Sequence, residues 1–370
     1  MTARFTVTYH VRAEASAIEA RTQAIAVEQS VEMPLAAIDD ATVLMDIVGK
    51  VEAIDHLKDE TFAVRIGLAT ATVGQDAGQF LNMLFGNTSL HDDVVLHDIA
   101  IPPELIAAFG GPRHGIDRLR QRLGIAKRAF TGSALKPQGL PPDRLGMLAE
   151  RFARAGLDFV KDDHGLADQS YSLFADRVRA CADGVARGAR ATGHPTRYIP
   201  SLTGSLDQMR TQAQLAQSLG LDTVMLAPMI AGFATMQALV RSFPGMAFFA
   251  HPSLGGAARI APELLIGKLF PLIGADAVIF PNHGGRFGYS PGTCRQLAKN
   301  ARAPGGGMRG ALPVPAGGMT LDRVGEILDF HGPDTMLLIG GNLLMARERI
   351  IEEATAFARL VADHAYRRDS

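Results

Sequence analysis

Along the first hundred residues the hydrophobic positions recur with two different periods. Phe5, Val7, Tyr9 and Val11 alternate with Thr6, Thr8 and His10, the period of a half-buried strand. From Glu14 to about Val27 the chain is Ala-rich and charged, a helix-forming composition. Strands are expected over 43–54 and 61–68, the latter alternating Phe62, Val64, Ile66 and Leu68. A helix over 75–85 and a strand over 94–99 follow. The order β-α-β-β-α-β predicts a ferredoxin-like α+β unit, assigned to residues 1–120.

After Pro102 the rhythm changes to short apolar runs alternating with amphipathic helices. Eight runs are expected as strands, near 130–135, 157–161, 198–203, 223–227, 246–250, 277–280, 312–314 and 336–339. The segments 143–155, 206–219 and 321–330 carry the apolar spacing of helices packed on a barrel. Eight such units predict a (β/α)8 TIM barrel with C-terminal helices over residues 121–370, whose chemistry sits at the C-terminal ends of its strands.

Composition narrows the function. The chain has 370 residues, 47% of them hydrophobic and 20% charged, enough for a large core. A net charge of −1 gives no electrostatic footprint for nucleic acid or an anionic membrane. No apolar stretch reaches the roughly 20 residues a bilayer needs, and the N-terminus lacks the basic start and apolar run of a secretory signal. Two cysteines, Cys181 and Cys294, are too few for a disulfide scaffold, so a cytoplasmic setting is expected.

The residues just past each run carry the candidate chemistry. Strand one ends Leu135-Lys136-Pro137, which either aims an amine into the mouth or leaves a surface lysine in a Pro/Gly loop. Strand two ends Lys161-Asp162-Asp163-His164. These are a salt bridge with a helix cap, or else a carbamylated Lys161 whose new oxygen joins Asp163 around Mg²⁺, with His164 as a third ligand. His251 after strand five is a proton mover or a satisfied core histidine. Arg286, in the glycine loop after strand six, is an anion clamp or an exposed charge. Gly317-Gly318 and Gly340-Gly341 end strands seven and eight, where barrels commonly bind phosphate, although a lone Gly-Gly is more often a turn.

These residues resemble the RuBisCO superfamily over nearly the whole chain. Gly156-Leu157-Asp158-Phe159-Val160-Lys161-Asp162-Asp163 resembles its activation motif, and Gly132-Ser133-Ala134-Leu135-Lys136-Pro137 its strand-one catalytic lysine segment. Phe109 to Ile116 resembles the interdomain segment. Ile25 to Ser30 resembles the N-terminal glutamate segment, with Glu28, and Gly86-Asn87 resembles the asparagine that contacts substrate and metal across the subunit interface. The resemblance therefore implies a homodimer, Mg²⁺ or Mn²⁺, and CO₂ held as a carbamate on Lys161.

The departures imply a RuBisCO-like protein of the form IV type and not a true carboxylase. Gln138, Pro252 and His164 stand where the carboxylases have lysine, arginine and glutamate, and Arg286 stands for the lid lysine. Loss of second-phosphate groups suits a phosphorylated substrate with one phosphate. The first expectation is a metal-dependent decarboxylase of a phosphorylated 3-oxo sugar acid, of the 3-oxo-isoapionate 4-phosphate type, acting through an enediolate. Lys136 would protonate that enediolate. The alternatives are an enolase or isomerase of a phosphorylated ketose, of the methylthioribulose 1-phosphate type, and a non-catalytic scaffold. The salvage enolases of the family place a lysine base near the position occupied here by Asn87, and its absence argues against that branch.

Overall fold

A computed structural model describes residues 3–366. Its N-terminal part is a four-stranded antiparallel sheet of β1 (Arg4–Arg12), β2 (Lys50–Lys58), β3 (Thr61–Ala69) and β4 (Val94–Ala100), in the order β2-β3-β1-β4. The alternation read from β1 buries Phe5, Val7, Tyr9 and Val11 completely or nearly so. Each large apolar side chain buried in this way contributes roughly 1.5–3 kcal/mol. Helices Ile18–Glu28 and Ala77–Phe85 supply the opposing residues. Phe80 meets Phe5 edge-on at 5.6 Å, and Tyr9 donates its hydroxyl to Leu84 O at 2.6 Å.

Two N-terminal expectations need correction. Residues 43–54 are not one strand: Val43–Ile47 forms a wide helical turn and β2 begins only at Lys50. Asp40 starts that turn by accepting from Thr42 N at 2.7 Å and Val43 N at 3.2 Å, a local side-chain bond that overrides the apolar alternation. Gly49 then lets the chain pass so close to the first helix that a Cβ there would lie 2.4 Å from Ala26 O. The helix expected from Glu14 starts at Ile18, because Glu14 to Ala17 closes a separate turn.

The eight later strands are β5 (Phe130–Leu135), β6 (Phe159–Asp162), β7 (Arg197–Ile199), β8 (Thr223–Leu226), β9 (Ala247–Ala250), β10 (Ala277–Pro281), β11 (Leu312–Ala316) and β12 (Met336–Leu338). They pair in parallel as two arcs, β12-β5-β6-β7 and β11-β10-β9-β8. A parallel bridge between Ser201 and Met225 joins one seam, and Thr335 Oγ1 donates to Pro313 O at 3.1 Å across the other. The run at 198–203 yields a strand only to Ile199, since Pro200 has no N–H for a ladder.

Inward-facing residues from all eight strands, among them Phe130, Phe159, Ile199, Met225, Phe249, Ile279, Val314 and Met336, fill the barrel interior. Ile116, Leu119 and Leu123 of helix Gly115–Leu123 pack against the same cluster. Outward-facing residues join the helices and the N-terminal sheet in one larger core. The N-terminal part is tied to the barrel where Leu96 N donates to Arg259 O and Ala261 N to Leu96 O, each at 2.9 Å. Among the described residues no helix is long and apolar enough to cross a membrane.

Candidate active site

The period of two along β5, β6 and β9 decides which polar side chains reach the barrel mouth. On β5, Phe130 points inward, and continuing the alternation brings Ala134 and then Lys136 to the same side. On β6, Phe159 points inward, and so do Lys161 and Asp163. On β9, Phe249 points inward and His251 follows. Parallel pairing sets Ala134 opposite Lys161 and Leu135 opposite Asp162, which fixes the height of one strand end against the other.

The result is a compact charged group. Lys136 Nζ lies 2.6 Å from Asp163 Oδ1. His164 Nδ1 is 3.4 Å from the same oxygen, and the His164 ring stacks on His251 with centroids 4.4 Å apart. Lys161 is buried and donates to the carbonyl of Asp162 at 2.7 Å. Burial, aided by the charge of Lys136, pushes the Lys161 ammonium down to about 8 against the pull of Asp163. Burial tends to raise the Asp163 carboxyl, but His164, Lys136 and Lys161 together hold it well below the usual carboxylate range.

His251 is neutral. Burial, the charge of Lys161 and the neighbouring His164 push its imidazolium far down. Its Nδ1 faces Ser253 Oγ at 2.8 Å and accepts from Ser253 N at 3.2 Å. That assignment leaves the proton on Nε2, as a donor available to a substrate oxygen.

The other carboxylates of the activation-like segment do structural work. Asp162 points outward, where Tyr198 donates at 2.7 Å and the fully buried Arg177 lies at 3.2 Å. Asp158 sits at the opposite end of the strand, bound by both terminal nitrogens of Arg128 at 2.7 Å.

Of the remaining expected residues, Gly340 adjoins this group and the others have different neighbours. Gly317 and Gly318 have left-handed φ values of 87° and 92°. They bring the β11 end against the loop after β10: Arg286 N donates to Gly317 O at 2.9 Å, and a Cβ on Gly318 would meet Arg286 at 3.0 Å. The Arg286 side chain is exposed, with its guanidinium 5.3 Å from the Phe287 ring centroid. Gly340 lies next to Lys136, whose Cε would be 3.8 Å from its added Cβ, while Gly341 faces open space. Glu28 and Asn87 pair with each other: Asn87 Nδ2 donates to Glu28 Oε1 at 2.9 Å and to Glu32 Oε1 at 2.8 Å. Among the described residues no hydrogen bond or ion pair links them to Lys136, Lys161 or Asp163.

Glu32 was absent from the sequence expectations and carries no periodic signal, since the helix ends at Glu28 and Glu32 lies beyond it at a left-handed φ of 53°.

Among the described residues no three His, Cys, Asp or Glu side chains converge as a metal-binding group. The mouth suits a hard cation through a different donor set. With Lys161 and Lys136 both cationic around one carboxylate, the cluster repels a cation. Carbamylation of Lys161 would reverse one charge and leave two anionic oxygen donors, from Lys161 and Asp163. The buried amine with its lowered proton affinity fits that modification. His164, nearly half exposed, would be a less usual partner for Mg²⁺ than for Mn²⁺.

Known proteins similar to this chain cover its full length. The family model of the ribulose bisphosphate carboxylase large chain catalytic domain matches residues 115–263. A 5-methylthioribulose-1-phosphate isomerase from Rhodospirillum rubrum is 59% identical over 368 residues, covering 99% of this chain and 98% of that protein. A 2,3-diketo-5-methylthiopentyl-1-phosphate enolase from Geobacillus kaustophilus is 31% identical over 290 residues, covering 76% of this chain and 70% of that protein. The crystal structure of a Rubisco-like protein from Rhodopseudomonas palustris superposes with a TM-score of 0.93 at 46% identity, covering 100% of both chains. With that similarity along its full length and the Lys136–Asp163–Lys161 group at the barrel mouth, this chain belongs to the RuBisCO-like proteins of the RuBisCO superfamily.

Proposed function

We propose that the protein is an isomerase of a phosphorylated ketose of the 5-methylthioribulose 1-phosphate type. The observation that carries this reading is the 59% identity, over 98–99% of both chains, to a protein of that name. It displaces the decarboxylase first expected from the sequence in favour of the alternative. Both reactions use a proton-moving group beside a stabilised oxyanion, so the site geometry is compatible with either. Isomerisation takes a proton from one carbon and returns one to another, and it needs no co-reactant.

Lys136 is the group placed to move that proton. Its 2.6 Å contact with Asp163 holds the amine at the mouth. The neutral His251 offers Nε2–H to a substrate oxygen, and its stack with His164 fixes the ring plane. The strand-end glycines and Arg286 would hold the phosphate or another anionic group. When bound at Lys161 and Asp163, a divalent cation supplies Lewis-acid polarisation of a carbonyl. Glu28 and Asn87 would complete the site from a second copy of the chain in a homodimer, which is how the resembled family uses its counterparts.

The test is a substrate panel followed by NMR, with Mg²⁺ or Mn²⁺ and bicarbonate present. We expect 5-methylthioribulose 1-phosphate to convert to an isomer without loss of carbon. Release of CO₂ from 3-oxo-isoapionate 4-phosphate, with the methylthio sugar untouched, would restore decarboxylation. Turnover of 2,3-diketo-5-methylthiopentyl 1-phosphate alone would move the protein to the enolases.

A further inference from the structure

The loop after β9 holds an arrangement that the catalytic group does not explain. Leu254 has a φ of 66°, in the left-handed region that a bulky side chain avoids, and it is 58% exposed. Among the described residues, the other non-glycine residues with positive φ are the polar Glu32, Asp59 and Arg347. A strained backbone that holds an apolar side chain in water gains nothing for folding. Such outliers persist where surrounding structure enforces them, and they concentrate at ligand sites.

The enforcement is visible at both ends of the loop. At its start, Ser253 is clamped to His251 Nδ1 through both its hydroxyl, at 2.8 Å, and its N–H, at 3.2 Å. Two successive turns follow, Gly255 N to Pro252 O at 2.9 Å and Ala257 N to Leu254 O at 3.1 Å, with Leu254 between them. At its end, the Arg259–Ala261 stretch is bonded to Leu96 of β4 on both sides. Leu254 is thus fixed relative to the His251 ring. Phe287, exposed in the loop after β10, already has partners in Arg286 and Gly317.

We propose that Leu254 is a specificity-determining residue that receives the thioether arm of the substrate. This rests on the ketose-phosphate reading above. Strand five lies opposite strand one in an eight-stranded ring and well round the mouth from strand eight. A substrate with its phosphate at the strand-seven and strand-eight glycines and its reacting carbons at Lys136 therefore extends its far end towards this loop. A rigid apolar contact there favours a methylthio group over a hydroxyl.

The experiment compares Leu254→Gly and Leu254→Asn with the unsubstituted protein on 5-methylthioribulose 1-phosphate and on ribulose 1-phosphate, which carries a hydroxyl in place of the methylthio group. Where ribulose 1-phosphate is not turned over, its inhibition constant is read instead. We expect kcat/KM for the methylthio substrate to fall about 10- to 100-fold, mainly through KM, as for loss of an apolar contact made equally in ground and transition states. The ribulose 1-phosphate value should change by less than about two-fold on the same grounds. Both replacements tolerate positive φ, so neither should lower the melting temperature. An unchanged preference, equal losses on both substrates, or a fall of several degrees in melting temperature would each overturn the assignment. If the unsubstituted protein leaves 5-methylthioribulose 1-phosphate unconverted, the functional reading falls and this inference with it. Conversion that survives with its selectivity intact in both variants removes the inference alone.

Discussion

Replacing Asp158 by asparagine isolates a structural element of the activation-like segment from its chemistry. The carboxylate is fully buried at the start of β6 and accepts from Arg128 NH1 and NH2 at 2.7 Å, from Thr131 N at 2.8 Å and Oγ1 at 3.0 Å, and from His194 Nε2 at 2.9 Å. Asparagine preserves the shape but removes the charge, and it sets an NH₂ against a donor-only guanidinium or imidazole. Breaking a buried ion pair costs about 3–5 kcal/mol. Arg128 is 25% exposed and can recover some hydration, so the lower end, roughly 3 kcal/mol, applies. For a chain of this length that is a fall of roughly 3–6 °C in melting temperature, while kcat at a permissive temperature should stay within about two-fold. Burial tends to raise the Asp158 carboxyl, but Arg128 and His194 hold it below its ordinary value. A depressed carboxyl stabilises the fold above its unfolded value, near 3.9, and that contribution is lost as pH falls through the folded value. The gap in melting temperature between the two proteins should therefore be full at pH 7 and narrow below about pH 4. A shift under about 1 °C at pH 7, or loss of kcat without destabilisation, would refute the division between the two ends of the strand.

Other consequences concern the mouth itself. Lys136→Met should lower kcat by at least about 100-fold while binding of a substrate analogue changes little, because a proton mover acts in the transition state; comparable losses in binding would make it a binding residue. Lys161→Met should abolish activation by added divalent metal and bicarbonate, and chelation of metal from the unsubstituted protein should produce the same loss, with full activity after either treatment contradicting the donor set. A mixture of inactive Asn87→Ala and Lys161→Met proteins, refolded or exchanged together, should recover part of the activity if each site draws on two chains. Light scattering that finds an active monomer would reject that arrangement.

The barrel strands were legible because each is a short run buried on both faces, and such runs stand out between amphipathic helices. Their ends gave Lys136, Lys161, Asp163 and His251, which do converge, since parallel pairing of β5 and β6 leaves little freedom in relative height. Which member of a dense polar run does which work was less legible. Asp162 and Asp163 are adjacent, yet one binds Arg177 and Tyr198 behind the strand and the other meets Lys136 in the mouth. The stack of His164 on His251 joins residues 87 positions apart and has no local signature. The turn at Val43–Ile47 was lost to a single side-chain bond from Asp40, which a periodicity cannot register.

The same contrast explains why the fold alone leaves the reaction open. Lys136, Lys161 and Asp163 lie on the inward side of two neighbouring strands, where the barrel constrains them and where proton transfer beside a stabilised oxyanion is common to several reactions. The proposed basis for distinguishing one substrate from another lies on the loops, where Pro252 to Ala257 and the Arg286–Phe287 turn are shaped by short-range bonds and by glycine. Leu254 illustrates the point: its backbone is held against its own preference by contacts on both sides, in the segment that follows His251 of the proposed catalytic group. On the proposed reading, chemistry in this chain is set by strand register and selectivity by loop constraint. Substitutions at strand ends should accordingly change turnover on every substrate together, whereas substitutions in the β9 loop should change the ratio between substrates.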